Sequence, residues 1–268
     1  MLNPDIEQAA QVLASRRFHQ QVGPFLPQAQ RPNNFNQAFS IQQACAKHYS
    51  QLASTAQIGW KCAQPNGDKT IIGALFESEI QHQTTICPLA STDGKALIEP
   101  ELCFTLKSDL PPRAGAYSQT EIDDAIGSTR LALELIQSRY EAPKQASFFD
   151  ALADGLLNQG VWLGPEIKAA TDLSYSEFEL TIAVQGEPNQ VLVGKHQDGH
   201  ARAGLYWLVN FLSQRGIGLS KGQQVITGSY AGVISLPFDK IIHFQYGKLG
   251  EFQLEFRDIK IAPTDDIS

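Results

Sequence analysis

The glutamates Glu99 and Glu101 have the spacing with the most chemical content in this chain. Side chains two residues apart on a strand point to the same face of a sheet, so both carboxylates could hold one hard cation. The alternating pattern supports a strand, because Ile98, Leu102 and Phe104 then share the opposite, packed face. A solvated acidic face is the common alternative for such a pair, since surface carboxylates are abundant. The pair therefore needs support from other residues.

Pro100 lies between the two glutamates and cannot donate a hydrogen bond to a neighbouring strand. It predicts that this end of the strand lies at a sheet edge or a β-bulge, where side chains are often re-aimed. A third carboxylate, Glu134, stands between Leu133 and Leu135 in a segment whose period fits a helix or a strand. Burial without a partner would cost several kcal/mol, so Glu134 is expected either at the surface or beside a cation or donor.

Length and charge limit the classes of protein that the chain can represent. Its 268 residues, 43% of them hydrophobic, suffice for one large domain or two small ones with a sizeable core. The formal net charge of -7 argues against nucleic acid or an anionic membrane as the main partner. A small molecule is therefore the expected partner.

Cysteine usage and the first residues bear on where the protein acts. The four cysteines lack the paired spacing of a zinc site or a disulfide framework, and are expected to be buried free thiols. Residues 1–5 lack the basic start and apolar stretch of a signal peptide, and no run is long enough to span a bilayer. The sequence predicts a cytoplasmic protein in a cell with a reducing interior.

The local patterns change near residue 57. Before it, the spacing of apolar residues predicts helices from Asp5 to Gln21 and from Phe35 to Thr55. After it, strands are expected at Lys69–Phe76, Ile98–Leu106, Glu177–Val184, Val191–Val193, Gln224–Thr227, Ile241–Tyr246 and Phe252–Phe256. Helices first and many strands afterwards are typical of an α+β fold with a rolled sheet. We expect a helical N-terminal subdomain over 1–57 and a mixed β-roll catalytic domain over 58–268.

Two helices are predicted within the sheet-rich part. Residues Ser118 to Glu121 form a capping box, and the helix that follows is expected to place Ile122, Ala125, Ile126 and Thr129 on one face. The second helix runs from His200 to Arg215 and is closed by Gly216.

Collinear motifs cover nearly the whole chain. The run around Glu99 and Glu101 followed by Asp109-Leu110-Pro111 has the pattern I-E-x-E-x-x-F-x-L and D-L-P. Further segments are Gly59-Trp60-Lys61, Gly73-Ala74-Leu75, Glu134 to Arg139, Ala153-Asp154, Gly204 to Asn210 and Leu219 to Ser229. Together they resemble the 2-keto-4-pentenoate hydratase / 2-oxohept-3-enedioate hydratase family of the fumarylacetoacetate hydrolase superfamily. The resemblance implies a fumarylacetoacetate hydrolase-like fold.

The resemblance also implies a divalent metal site. In the family the matching glutamates bind Mg²⁺ or Mn²⁺, which assigns Glu99, Glu101 and Glu134 to the metal. Such an all-oxygen set suits a hard cation. Three carboxylates and a divalent ion leave one net negative charge, so a nearby cation is needed before an anionic substrate enters. Lys61 is the candidate, and would also transfer a proton if burial lowers its pKa; the alternative is a snorkelling surface lysine.

The activity implied is hydration of a 2-hydroxy-2,4-dienoate or 2-keto-enoic acid to a 4-hydroxy-2-keto acid, in the catabolism of aromatic compounds, by a homo-oligomer. Asp154 is expected to join Lys61 in positioning water and transferring protons. Ser229 and Leu75 are expected to contact the substrate, although Ser229 also fits an ordinary turn serine. The alternatives are a decarboxylase or carbon–carbon hydrolase of a related 2-keto acid, and a non-catalytic, metal-dependent keto-acid binder.

Three positions depart from the family pattern. Ser78 stands where the family has an acid, Gln137 where it has aspartate and Gly155 where it has asparagine. The missing acid at Ser78 bears on water addition rather than on metal binding.

Overall fold

A computed structural model describes residues 4–67, 69–168 and 175–259. The chain begins with two packed helices, α1 (Pro4–His19) and α2 (Phe35–Leu52). The side chain of Asn34 caps α2, because it accepts a hydrogen bond from the backbone N–H of Gln37. Both predicted helices are confirmed, although each ends two or three residues earlier than expected. Residues 1–3, which entered the signal-peptide argument, lie outside the described residues.

Two sheets form most of the remaining structure. Their strands are β1 (Gln57–Cys62), β2 (Ile72–Phe76), β3 (Ile80–His82), β4 (Ile86–Leu89), β5 (Ala96–Leu106), β6 (Ile126–Ile136), β7 (Asn158–Glu166), β8 (Glu177–Val184), β9 (Gln190–Lys195), β10 (Gln224–Ile226), β11 (Ile234–Leu236), β12 (Ile241–Tyr246) and β13 (Gly250–Asp258). The larger sheet has the order β2-β1-β10-β5-β6-β7-β3, with β11 also beside β5, and the smaller has the order β4-β13-β12-β8-β9. Parallel pairs such as β1 with β10 occur among antiparallel ones. The predicted α+β architecture with a mixed, rolled sheet is confirmed.

Three short helices connect these strands: α3 (Gln119–Ala125), α4 (Phe148–Ala153) and α5 (Ala203–Ser213). The capping box predicted at the start of α3 is present with both of its hydrogen bonds. The expected helical face was wrong beyond Ala125, because the backbone becomes extended at Ile126 and the residues that follow pair with β5. Helix α4 was not predicted, since six residues are too few to show a helical period.

Pro100 does not mark a sheet edge, and that prediction was wrong. β5 lies inside the larger sheet and pairs with β6 along nearly its whole length, without a register shift at Pro100. On its other side β5 pairs with β10 at residues 103–105 and with β11 at residues 96–98. Pro100 therefore lies in the gap between these two partners, where no ladder hydrogen bond is required from its nitrogen.

The two faces of β5 contact different clusters. Ile98, Leu102 and Phe104 join the main hydrophobic core, which also contains residues of α1 and α2. The opposite face belongs to a small separate cluster of Leu75, Cys103, Ala132, Val161, Leu163 and Ile226. The predicted division of side chains along this strand is therefore confirmed, and the acidic residues share the face of the small cluster. The division of the chain into units at residue 57 stays a prediction.

The four cysteines are buried and free, as predicted. Within the described residues, no helix is both long enough and apolar enough to cross a membrane.

Candidate metal centre and active site

Three buried or half-buried carboxylates converge on the inner face of the larger sheet. Glu99 and Glu134 are direct partners across the β5–β6 ladder, and Glu101 faces Ala132 one step along the same face. One carboxylate oxygen from each glutamate lies within 4.8 Å of the others. The small side chain of Ala132 leaves the space opposite Glu101 open to the diagonal neighbour Glu134. The structure thus brings together the three residues that the sequence assigned to a metal.

Burial makes this cluster electrostatically costly without a cation. Burial and then the negative charge of Glu134 raise the pKa of Glu99 to about 7. The pKa of Glu101 is raised well above its ordinary value by burial and by both other glutamates, although the backbone N–H of Gly228 opposes this shift. Like charges placed opposite each other on a sheet repel, and a bound cation removes that repulsion.

Lys61 lies within the cluster rather than at the surface. Its side chain is only 8% exposed, and its Nζ donates to Glu134 Oε1 at 2.6 Å. Burial alone would lower the pKa of Lys61, but the charges of Glu134, Glu99 and Glu101 outweigh it, and the net pKa is raised. The condition that burial lowers the pKa of Lys61 is therefore not met, and Lys61 is an ammonium ion beside the three carboxylates.

A left-handed turn between α4 and β7 holds the second partner of Lys61. Gly155, Leu156 and Leu157 have φ angles of 78°, 54° and 66°, a conformation that leucine rarely adopts. The turn directs the Leu156 carbonyl to Lys61, whose Nζ donates to it at 3.1 Å. Backbone strain of this kind persists where surrounding contacts enforce it, often at functional sites.

The residue after this turn, Asn158, was missed in the sequence. It is fully buried at the start of β7, and its side-chain amide donates to Glu134 Oε1 at 2.8 Å. Asn158 and Lys61 therefore both donate to Oε1 of Glu134. Glu134 Oε2 is buried and has no hydrogen-bond partner. The one signal in the sequence is an asparagine close before the apolar run Val161-Trp162-Leu163, since a polar group that becomes buried needs a partner.

Gly73 makes room for Lys61. A Cβ atom added at Gly73 would lie 2.9 Å from Lys61 Cγ and 3.1 Å from the Gly155 carbonyl oxygen. The matched motif Gly73-Ala74-Leu75 therefore has a steric reason at its first position. Leu75, at its third, is 1% exposed and packs in the small apolar cluster beside the carboxylates.

The loop after β10 contacts Glu101. The backbone N–H of Gly228 donates to Glu101 Oε2 at 2.8 Å, and the φ of Gly228 is 123°, which favours glycine. The neighbouring Ser229 is half-buried, and its hydroxyl donates to the Gly232 carbonyl at 3.1 Å. In this state Ser229 is a turn serine located beside the site.

Asp154 is engaged elsewhere. Its Oδ1 accepts from Arg139 Nε at 2.7 Å, and its Oδ2 accepts from the Arg139 backbone N–H at 3.2 Å. Arg139 also donates to the Asn158 carbonyl at 2.7 Å, so this pair supports the left-handed turn. Across the parts of the chain that the structure describes, no hydrogen bond joins Asp154 to Lys61 or to the three glutamates.

The donor set fits a hard divalent cation. All three ligands are carboxylates, as such ions prefer, and an unpartnered buried oxygen, Glu134 Oε2, is available. When all three carboxylates are ionised, Lys61 supplies one positive charge against three negative ones, and a divalent cation would balance the remainder.

Comparisons with known proteins agree with the fold. No protein-family profile matches the chain. It is 26% identical to 2-oxo-hept-4-ene-1,7-dioate hydratase from Escherichia coli over 191 residues, which are 69% of this chain and 70% of that protein. Among solved structures, 4-oxalocrotonate decarboxylase from Pseudomonas putida G7, in complex with magnesium and adipate, matches with a TM-score of 0.76 at 18% identity, over 96% of this chain and 99% of that one.

A third match is 2-hydroxyhepta-2,4-diene-1,7-dioate isomerase from Mycobacterium marinum, with a TM-score of 0.53 at 16% identity over 74% of this chain and 73% of that one. The chain shares the fold of these solved structures, as the resemblance to the fumarylacetoacetate hydrolase superfamily predicts. The hydratase at 26% identity is consistent with the resemblance to the 2-keto-4-pentenoate and 2-oxohept-3-enedioate hydratases that the motifs indicate.

Proposed function

We propose that this protein is a metal-dependent hydratase that adds water to a 2-hydroxy-2,4-dienoate or 2-keto-enoic acid and releases a 4-hydroxy-2-keto acid. The observation that carries the proposal is the convergence of Glu99, Glu101 and Glu134 with Lys61 on one face of the sheet. The hydratase from Escherichia coli supports the type of reaction. Breakdown of aromatic compounds is the proposed metabolic setting.

Glu99, Glu101 and Glu134 would hold Mg²⁺ or Mn²⁺. When bound, the ion would stabilise negative charge that develops on the oxygens of a 2-keto acid. The magnesium complex of the structurally similar decarboxylase supports this choice.

Lys61 is proposed to attract the substrate and to move a proton. Its ammonium group is the positive charge that draws an anionic acid to an otherwise acidic cluster. The Leu156 carbonyl and Glu134 Oε1 fix Nζ in position, so its proton can be delivered to one place on the carbon chain. Leu75 and its apolar neighbours would exclude bulk water from that side.

The proposed roles of Ser229 and Asp154 require each side chain to leave its present hydrogen-bond partner. Ser229 would rotate its hydroxyl from the Gly232 carbonyl to the substrate carboxylate. Proton transfer by Asp154 stays a prediction that requires the release of Arg139. A homo-oligomer in the cytoplasm is part of the same proposal, and four free thiols suit a reducing compartment.

Incubation with 2-hydroxypenta-2,4-dienoate and Mg²⁺ tests the proposed function. Hydration removes the conjugated absorbance in the ultraviolet and yields a 4-hydroxy-2-keto acid that NMR identifies. The Glu101→Gln variant is the control for dependence on the site. Tight binding of 2-keto acids without any product would instead favour a metal-dependent binding protein.

Decarboxylation is the second candidate, and two observations favour it. The structural match that spans nearly all of both chains is to a decarboxylase, at a TM-score of 0.76. Ser78, in place of the family's acid, donates its backbone N–H to Thr55 Oγ1 and adds no carboxylate for activating water. Release of CO₂ from 4-oxalocrotonate, without hydration of the dienoate, would select this alternative.

A further inference from the structure

A line of polar contacts runs from the N-terminal helix to the acidic cluster. Arg17, on α1, donates from a terminal guanidinium nitrogen to Asn158 Oδ1 at 3.2 Å. Asn158 Nδ2 donates in turn to Glu134 Oε1 at 2.8 Å. These contacts join residues that are 141 and 24 positions apart in the sequence.

The contacts fix which way the amide of Asn158 points. Its oxygen faces a guanidinium group, which can only donate, and its nitrogen faces the carboxylate of Glu134, which accepts. The flipped amide would place donor against donor and acceptor against acceptor. Arg17, on the oxygen side, and the Gly160 carbonyl, which accepts from Nδ2 at 3.3 Å, both favour the orientation in which Asn158 presents its N–H to Glu134.

Arg17 is itself held rigidly. Its guanidinium forms two hydrogen bonds with Glu79, at 2.8 and 2.5 Å. The rings of Phe76 and Tyr49 lie 5.0 and 5.4 Å from its central carbon. Its side chain is 8% exposed and that of Glu79 is 12% exposed. A buried two-bond pair of this kind defines direction as well as distance.

The two carboxylate oxygens of Glu134 have different surroundings. Asn158 and Lys61 both donate to Oε1, whereas Oε2 is buried without a partner. A buried acceptor without a partner destabilises the fold, so the arrangement suits a site where a cation satisfies that oxygen. Groups that orient a metal ligand commonly control affinity almost as strongly as the ligands themselves.

We propose that Arg17 and Asn158 are positioning residues for the metal centre: acting through Glu134, they turn Oε2 toward the cation and set the affinity of the site. Helix α1 is then a functional part of the centre rather than only a cover for the sheet. This inference rests on the metal site of the proposed function, but not on the reaction.

The test measures Mg²⁺ binding by calorimetry in Asn158→Ala, Arg17→Met and the double variant. We expect Mg²⁺ affinity to fall about tenfold or more in Asn158→Ala, and by a smaller but clear factor in Arg17→Met. The double variant should bind no more weakly than Asn158→Ala, because Arg17 acts only through Asn158. A purely structural role for Arg17 would not produce this non-additivity.

Arg31→Met is the matched control. Arg31 forms the same kind of two-bond pair, with Asp150 at 3.0 and 2.5 Å, and also ties the N-terminal part to the rest of the chain. It has no contact with Glu134 among the described residues. We expect its loss to lower the melting temperature while Mg²⁺ affinity stays within about twofold of wild type.

Three results would overturn the inference: unchanged affinity in Arg17→Met, an equal loss in Arg31→Met, or fully additive losses in the double variant. If Arg17→Met fails to fold, Glu79→Gln and Arg17→Lys replace it, because each weakens the pair of Arg17 and Glu79 more mildly. Each of them must then lower the Mg²⁺ affinity, by a smaller factor than Asn158→Ala does. Wild-type protein that binds no Mg²⁺ refutes the inference together with the metal site. Mg²⁺ binding without turnover refutes only the proposed reaction.

Discussion

Glu99 and Glu134 face each other directly across the β5–β6 ladder, on the inner face of the larger sheet. Two acidic side chains in this position repel, and burial adds to the cost because water no longer screens them. Lys61 is the one cationic side chain that donates to either of them within the described ranges. When its carboxylates are ionised, the cluster therefore carries more negative than positive charge.

Mg²⁺ should stabilise the folded protein strongly. A ligand at about a hundredfold excess over its Kd adds roughly 2.7 kcal/mol to the free energy of unfolding. For a chain of this size that corresponds to a rise of roughly 5–10 °C in melting temperature. Differential scanning fluorimetry with MgCl₂, against NaCl of equal ionic strength, measures the difference.

Glu101→Gln should separate metal affinity from stability. The glutamine oxygen can still accept from the Gly228 N–H, so the local backbone keeps its hydrogen bond. We expect Mg²⁺ affinity in calorimetry to fall by about tenfold or more, since even groups behind the ligands have such effects. The metal-free variant should melt at the same or a higher temperature, because one repelling charge is gone. Unchanged Mg²⁺ affinity would contradict the assignment of Glu101 to the metal.

The stability of the metal-free protein should depend on pH through Glu99. Burial and the charge of Glu134 raise its pKa from 4.5 to about 7 in the folded state. Between these values the folded chain binds more protons than the unfolded chain, so the free energy of unfolding falls as pH rises through this window. The melting temperature should therefore fall between about pH 5.5 and about pH 7.5, and it should fall further in wild type than in Glu99→Gln. Equal pH dependence in the two proteins would show that Glu99 is not the group responsible.

Mg²⁺ binding should show the opposite pH dependence. The cation binds the ionised carboxylates, so binding below about pH 7 must displace a proton from Glu99, and the raised pKa of Glu101 acts in the same direction. We expect affinity to rise with pH up to that value, by at most about tenfold per pH unit for each proton released. Calorimetry in buffers of different ionisation enthalpy counts the protons directly, and a count of zero below neutrality would contradict the raised pKa values.

The sequence predicts those parts of the site whose residues follow the two-residue period of a strand. Alternation along β5 placed Glu99 and Glu101 on the face opposite Phe104, and the structure agrees. The ends of β8 and β12 match the prediction, because clear alternation is bounded by turn residues. Glu134 was ambiguous between helix and strand until pairing with β5 decided it.

What could not be predicted depends on contacts between distant segments. Asn158 lies beside Glu134 only because β7 pairs with β6, and its second partner, Arg17, lies on the distant helix α1. The left-handed backbone at Leu156 and Leu157 carries no sequence signal, since leucine normally avoids it. The error at Pro100 has the same origin: the gap between β10 and β11 exists only in the assembled sheet.

Gly73→Ala should displace Lys61. The added Cβ would lie 2.9 Å from Lys61 Cγ, closer than Cβ atoms come, and 3.1 Å from the Gly155 carbonyl oxygen, which would have to shift slightly. We expect a loss of about 1–3 kcal/mol in stability, typical of overpacking, and a larger proportional loss of turnover than of Mg²⁺ affinity. Gly115→Ala is the matched control, because its Cβ would meet nothing within 4 Å. Wild-type turnover in Gly73→Ala would show that the position of Lys61 is not critical.

Lys61→Met should abolish turnover while leaving metal binding intact or stronger. The methionine fills much of the same buried space but removes the ammonium group that donates to Glu134 Oε1. Loss of a proton-transfer group typically lowers kcat by about 10²–10⁴-fold. Mg²⁺ affinity should not fall, because the cation no longer competes with a positive charge for the three carboxylates. Lys47→Met, at an exposed position of α2, controls for the loss of one surface charge. If Lys61→Met instead loses Mg²⁺ binding and keeps its turnover per bound metal, Lys61 serves the folding of the cluster and not the chemistry.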